Sequence, residues 1–171
     1  KIIQRWITED HAGAIVKTID NKQSSLSDII DAIIDYTDNP SEISYPAMIR
    51  ILVELIRRFF FERLEFLKVA KTYLNVFDFR EFVKRIIYPP GSLGKLGGKS
   101  AGIFLSSKIL EKHLNNANFK YDIKLPKTWC ITSHAMTGFL NYNNLEDMAE
   151  QKYKDIDQVR LEYPQIVHIF K

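Results

Sequence analysis

Pro89-Pro90-Gly91-Ser92-Leu93-Gly94-Lys95-Leu96-Gly97-Gly98-Lys99-Ser100-Ala101-Gly102 holds five of the seven glycines in a chain of 171 residues. Glycine reaches positive φ and leaves backbone N–H groups open to a close ligand. A glycine cluster that ends in Lys-Ser and runs into Ile103-Phe104-Leu105 therefore reads as a flexible loop opening a helix, an arrangement suited to phosphate. Two familiar phosphate loops are excluded by counting. The Walker A pattern needs four residues between its first glycine and Gly98-Lys99-Ser100, which places that glycine on Leu93, and Gly94 is one residue late. A dinucleotide fingerprint needs G-x-G-x-x-G after a strand, and the loop instead follows Tyr88-Pro89-Pro90, which cannot be a central strand. Gly94-Lys95-Leu96-Gly97 does fit the GxxG of a nucleic-acid-binding KH domain, without the flanking strand such a domain has.

Toward the N-terminus the pattern is helical. A short helix is predicted around Asp10–Ile19, with Ile7, Ala14, Ile15 and Ile19 as its apolar stripe. Ser25-Leu26-Ser27-Asp28 is a Ser-x-x-acid capping pattern, and Ile29, Ile30, Ile33 and Ile34 follow at helical spacing, which predicts a helix from Ser27 to Tyr36. After Thr37-Asp38-Asn39-Pro40, apolar residues recur at three and four from Pro46 to Leu74, predicting one helix about 43 Å long. Its other face carries Arg50, Arg57, Arg58, Arg63, Lys68 and Lys71 among Glu54, Glu62 and Glu65, at spacings that pair charges. Asp78-Phe79-Arg80-Glu81 reads as a second cap opening a helix to Ile87, which Tyr88-Pro89-Pro90 ends.

Toward the C-terminus a helix is predicted from Lys99 to Leu114, stopped by Asn115-Asn116-Ala117-Asn118, then an irregular link over Phe119–Lys127. Thr128–Thr132 reads as a short strand. Ser133 reads as the N-cap of a helix Ala135–Leu140, and helices follow at Leu145–Tyr153 and Asp155–Phe170, the last interrupted at Tyr163-Pro164. The fold class is therefore α+β, dominantly helical. An N-terminal helical module, residues 1–90, precedes a part of the chain, residues 91–171, that carries the glycine loop and a short strand.

Gly97-Gly98-Lys99-Ser100-Ala101-Gly102 followed by a helix, together with Leu125-Pro126-Lys127-Thr128-Trp129-Cys130-Ile131-Thr132-Ser133-His134-Ala135-Met136-Thr137-Gly138-Phe139-Leu140, resembles the nucleotide-binding domain of the phosphoenolpyruvate synthase and pyruvate phosphate dikinase family. The first part is similar to that family's Gly-Gly-Lys loop. The second is similar to its segment of proline, aromatic, apolar strand, paired threonines and Phe-Leu helix, except that Lys127-Thr128-Trp129 stands where a second proline or glycine precedes the aromatic. The resemblance covers about residues 91–142. It implies that residues 91–171 are the opening part of an ATP-grasp-like domain, and that the chain is an N-terminal fragment of an ATP-dependent phosphotransferase. It further implies ATP and Mg²⁺ as cofactors, a Lys99 that contacts ATP phosphates, and pyruvate or another phosphoryl acceptor as partner. The metal ligands and the carrier histidine would lie outside this chain, which alone would be inactive.

The residues leave other readings open: a helical interaction or regulatory module in which the glycine loop is a hinge, or a GxxG nucleic-acid binder. Lys99 at a helix start opposes the positive end of the helix dipole, so a compensating anion is favoured there. Gly97, Gly98, Lys99 and Ser100, with Lys95 as a second cation, are the candidate cofactor-binding residues, and Ser100 reads more naturally as a cap than as a metal ligand. His11, His113, His134 and His168 have no ligand spacing, so no metal site is proposed from them. Cys130 is the single cysteine, which excludes an internal disulfide framework and fits a reducing cytoplasm. No apolar run reaches about 18 residues, so no membrane partner is expected. The net charge of +3 gives no argument for nucleic acid. The long helix offers a surface for association with a second copy.

Overall fold

The computed structural model describes residues 12–38, 44–114, 124 and 126–169. Helix α1, residues 12–20, buries Ala12, Ile15, Val16 and Ile19. Helix α2, Leu26–Asp38, opens on the predicted box: the Ser25 N–H and hydroxyl donate to the Asp28 carboxylate at 2.9 and 2.8 Å, and the Asp28 N–H donates to Ser25 Oγ at 3.2 Å. Leu26, Ile29, Ile33 and Tyr36 recur at three and four and are all buried. Each such side chain contributes about 1.5–3 kcal/mol by leaving water.

The single helix predicted over Pro46–Leu74 is two. Helix α3, Tyr45–Phe59, carries Pro46 in its first turn, and helix α4, Leu64–Tyr73, begins after a break at residues 60–63. Three consecutive phenylalanines explain the break, since residues 100° apart on a helix cannot all face one core. Leaving the helix after Phe59 lets Phe59 and Phe60 both reach the interior, at 0% and 2% exposure, and turns Phe61 toward the glycine loop. The second predicted cap is displaced as well. Asn75 is the N-cap of helix α5, Val76–Val83, and Asp78 is its third residue; each side chain accepts the other's backbone N–H, Asn75 N–H to Asp78 at 2.8 Å and Asp78 N–H to Asn75 at 3.1 Å.

Phe59, Phe60, Phe79, Phe82 and Phe104 form an aromatic cluster at the centre, with Phe82 and Phe104 stacked at 4.3 Å between centroids and 28° between planes. One core of buried side chains continues from α1 to Cys130, across residue 90. Strand β1, Ile86–Ile87, occupies what was read as the end of a helix, and pairs in parallel with strand β2, Cys130–Ile131, in the register Ile86 with Cys130 and Ile87 with Ile131. Two residues are too few to announce a strand, and β1 exists because β2 pairs with it.

Helix α6, Gly98–Leu114, lies between the strands in sequence and begins one residue before the predicted Lys99. The stop at Asn115–Asn118 and most of the link Phe119–Lys127 fall outside the described residues. Helix α7, Ser133–Tyr142, is capped one residue earlier than predicted, by Thr132, whose hydroxyl accepts the Ala135 N–H at 3.3 Å. A 3₁₀ helix, Glu146–Tyr153, replaces the predicted α-helix there, and helix α8, Ile156–Ile169, runs through Pro164 without interruption. Proline removes one N–H, and on an exposed helix water can satisfy the carbonyl thereby freed. Among the described residues no helix is long and apolar enough to cross a membrane.

Candidate functional site

The glycine stretch, read from the sequence as flexible, is tied down along its length. Gly91 and Gly94 take φ of +74° and +84°. Between them Ser92 is buried, its carbonyl accepting the Leu26 N–H at 2.6 Å and its hydroxyl donating to Thr132 Oγ1 at 3.3 Å. Gly94 lies against Leu26 so closely that a Cβ would sit 2.9 Å from Leu26 Cδ1. The Leu96 N–H donates to the Phe59 carbonyl at 3.0 Å, a carbonyl released because α3 stops at that residue. The Lys95 carbonyl accepts both the N–H and the hydroxyl of Ser133 at 3.3 Å. Helices α2, α3 and α7 thus hold the loop from three sides and fix where α6 begins.

At that start, the Gly97 carbonyl accepts the N–H groups of Ser100 at 3.1 Å and Ala101 at 3.3 Å. The N–H groups of Gly98 and Lys99 belong to the first turn, where an α-helix offers no internal acceptor. A Cβ on Gly98 would meet Phe61 Cζ at 3.1 Å, so this position favours a residue without a side chain. Lys99 is exposed, and the first turn of α6 contains no acidic residue. A helix N-terminus, two backbone donors and a lysine together form a cationic end that an anion would neutralise.

The other candidates lie on different sides of this turn. Ser100 is half-buried and lines a cavity of about 450 Å³ between α5, α6 and the segment entering β2. Lys95 is exposed and lines a separate cleft of about 580 Å³ with Lys22, Arg57 and Arg58. Arg57 is paired to Glu54 at 3.0 Å, as the helical spacing predicted. Arg58 donates to the Ser24 carbonyl at 2.5 Å, and burial pulls its guanidinium pKa below the usual value. His134 is exposed on α7, and Cys130 is a free, buried thiol in β2. Among the described residues no group of three or more His, Cys, Asp or Glu could hold a metal ion.

Sequence reasoning missed the residues that place the turn: Phe59, Phe61, Ser92, Leu96 and Thr132. Their bonds join positions about forty apart in sequence, and no local pattern announces them. Asn75 was legible, because Asn75-Val76-Phe77-Asp78 has the form of a capping box three residues before the one proposed.

Residues 93–171 match the family model of the pyruvate phosphate dikinase AMP/ATP-binding domain. No curated protein and no solved structure matches the chain.

Proposed function

We propose, from the match of residues 93–171 to the pyruvate phosphate dikinase AMP/ATP-binding domain model, that the chain supplies the phosphate-binding turn of an ATP-dependent phosphotransferase of the phosphoenolpyruvate synthase type. Gly97 ends the loop, Gly98 and Lys99 offer backbone N–H groups, the Lys99 ammonium faces phosphate oxygens, and Ser100 completes the first turn. Lys95, which lines a separate cleft, adds positive charge near the loop but does not share the turn. The observation that carries the reading is the start of α6: an exposed lysine and bare N–H groups with no acid in that turn, held in place by α2, α3 and α7. A charged donor placed in this way stabilises negative charge both in bound triphosphate and as it moves during transfer. Mg²⁺, if used, would be held by carboxylates outside residues 1–171, and the acceptor, pyruvate or another small molecule, would be bound there too. On this reading residues 1–90 serve to position the loop, and the division near residue 90 marks function rather than packing.

Lys99→Ala, made in the complete phosphotransferase of which this chain would be a part on this reading, tests the proposal. The variant should fold normally and bind ATP about 10–100-fold more weakly, the loss of one charge-assisted contact. Unchanged ATP affinity by titration calorimetry would remove Lys99 from the site. Residues 1–171 alone should bind Mg-ATP weakly and not hydrolyse it, whereas a sub-micromolar dissociation constant would mean the site is complete within them.

A further inference from the structure

The cavity between α5, α6 and the strand entry extends well beyond Ser100, and the phosphate turn leaves most of it unused. At about 450 Å³ it has the size of a small-molecule site. Its floor is apolar: the stacked rings of Phe82 and Phe104, Ile103, and the Cys130 thiol. Its rim is charged, and most of that charge is already committed. Lys108 Nζ bridges Asp78 Oδ1 at 3.2 Å and Glu111 Oε2 at 2.7 Å. Burial works to lower the Lys108 pKa, but the two carboxylates outweigh it and raise it, so the lysine stays charged and the bridge stays closed. Glu81 is held by Lys84 at 2.6 Å. Arg85 and Lys127 remain, and neither makes an ion pair among the described residues.

The pairing decides the ligand. The lining itself balances, Asp78, Glu81 and Glu111 against Arg85, Lys108 and Lys127, but Lys108 is closed on Asp78 and Glu111, and Glu81 is held by Lys84 from outside the lining, so Arg85 and Lys127 are left as two cations without an ion-pair partner among the described residues, over an aromatic floor. We propose that this cavity binds a small aromatic monoanion, a ring carrying one carboxylate or a group of like charge, with the ring on Phe82, Phe104 and Cys130 and the acid at Arg85 and Lys127. Such a ligand would press on α6, the helix that opens with the Gly98-Lys99 turn. The site does not depend on the nucleotide reading, since none of its floor or rim cations is in the phosphate turn.

The probe is naphthalene-2-carboxylate, compared with its neutral amide, titrated calorimetrically into the full chain. The carboxylate should bind about tenfold more tightly than the amide. Arg85→Gln combined with Lys127→Gln should abolish that preference while leaving the amide affinity unchanged; both residues are exposed, so the variant should fold. The chain has one cysteine, so alkylation by N-ethylmaleimide reports on this cavity alone, and saturating carboxylate should slow it. Absence of binding, a preference for the anion that survives in the double variant, or alkylation at the same rate with and without the compound would each overturn the proposal.

Discussion

The stretch from α1 through α6 and the stretch from α7 through α8 are of comparable helical character, yet they are held in opposite ways. In the first, each of α2, α3 and α5 buries four or five side chains, and phenylalanines from α3, α5 and α6 meet in one cluster. In the second, α7 has no buried residue, and Met136, Tyr142, Leu161 and Tyr163 are exposed, Leu161 at 79%. The ties there are polar: the carboxylate of Glu162 on α8 accepts from the Gln151 amide and from Lys154 Nζ, the latter at 2.8 Å. Hydrophobic burial scales with area and holds a region wherever the core extends, whereas an exposed polar tie holds a single joint and responds to pH and salt. The candidate phosphate turn lies at the boundary, anchored to the apolar side through Leu26, Phe59 and Phe61, and to the polar side through Ser133.

The sharpest way to break this comparison is a matched truncation. Phe79→Ala, at a fully buried position within the aromatic cluster, should destabilise the fold by about 3–5 kcal/mol in urea unfolding. Leu161→Ala should change stability by less than about 0.5 kcal/mol. Equal costs would show that α8 is packed as tightly as α5. A pair of glycine substitutions probes the same boundary at a smaller scale. Gly94→Ala places a Cβ at φ of +84° and 2.9 Å from Leu26 Cδ1, and should cost about 1–3 kcal/mol through backbone strain and the forced shift of Leu26. Gly138→Ala, inside α7 with open space around its Cβ, should favour the helix by up to about 1 kcal/mol. Thermal melts of the two variants should therefore move in opposite directions, and a fall with Gly138→Ala would mean that α7 is covered.

The smallest effect is the most local. Hydrogen bonds from Lys154 and Gln151 lower the Glu162 pKa below the ordinary glutamate value. A depressed carboxylate pKa stabilises the folded form above the ordinary value, and this contribution is lost as pH falls through the lowered one. Hydrogen exchange corrected for intrinsic rates should show α8 losing protection on acidification while α2 and α3 keep theirs. Glu162→Gln should show the loss already at neutral pH. Protection in α8 that is indifferent both to acid and to this substitution would break the link between the polar tie and the helix.

Local signals in the sequence were mostly read correctly where local chemistry decides, the Asn75 box being the exception. Ser25 and Asp28 satisfy each other's donors within one turn, and α2 follows. Glycine at 97 and 98 ahead of an apolar helix placed the start of α6 to within one residue. The misreadings arose where local preference was even. Nothing between Phe60 and Arg63 resembles a helix stop, because none of those residues is glycine or proline; the break follows from where the core lies relative to three adjacent rings. Likewise Ile86-Ile87 is apolar enough for a helix or a strand, and only Cys130-Ile131 arriving alongside settles it. For the candidate site, the residue types of the turn were legible, but not the supports around it or the separation of Lys95 from Ser100.

The sequence by itself determined the helical character, the capping box of α2, the glycine turn with its lysine, and the family resemblance, because each rests on short motifs whose residues are local to one another. The tertiary structure alone decided that the long helix is broken, that β1 exists, and that the loop is pinned. It also separated a charged-rimmed cavity on one side of α6 from a cleft holding Lys95. The physical reason is the same throughout: a backbone carbonyl or an aromatic ring takes the partner that the whole fold brings to it, and Phe59 illustrates both, with its ring in the core and its carbonyl on Leu96.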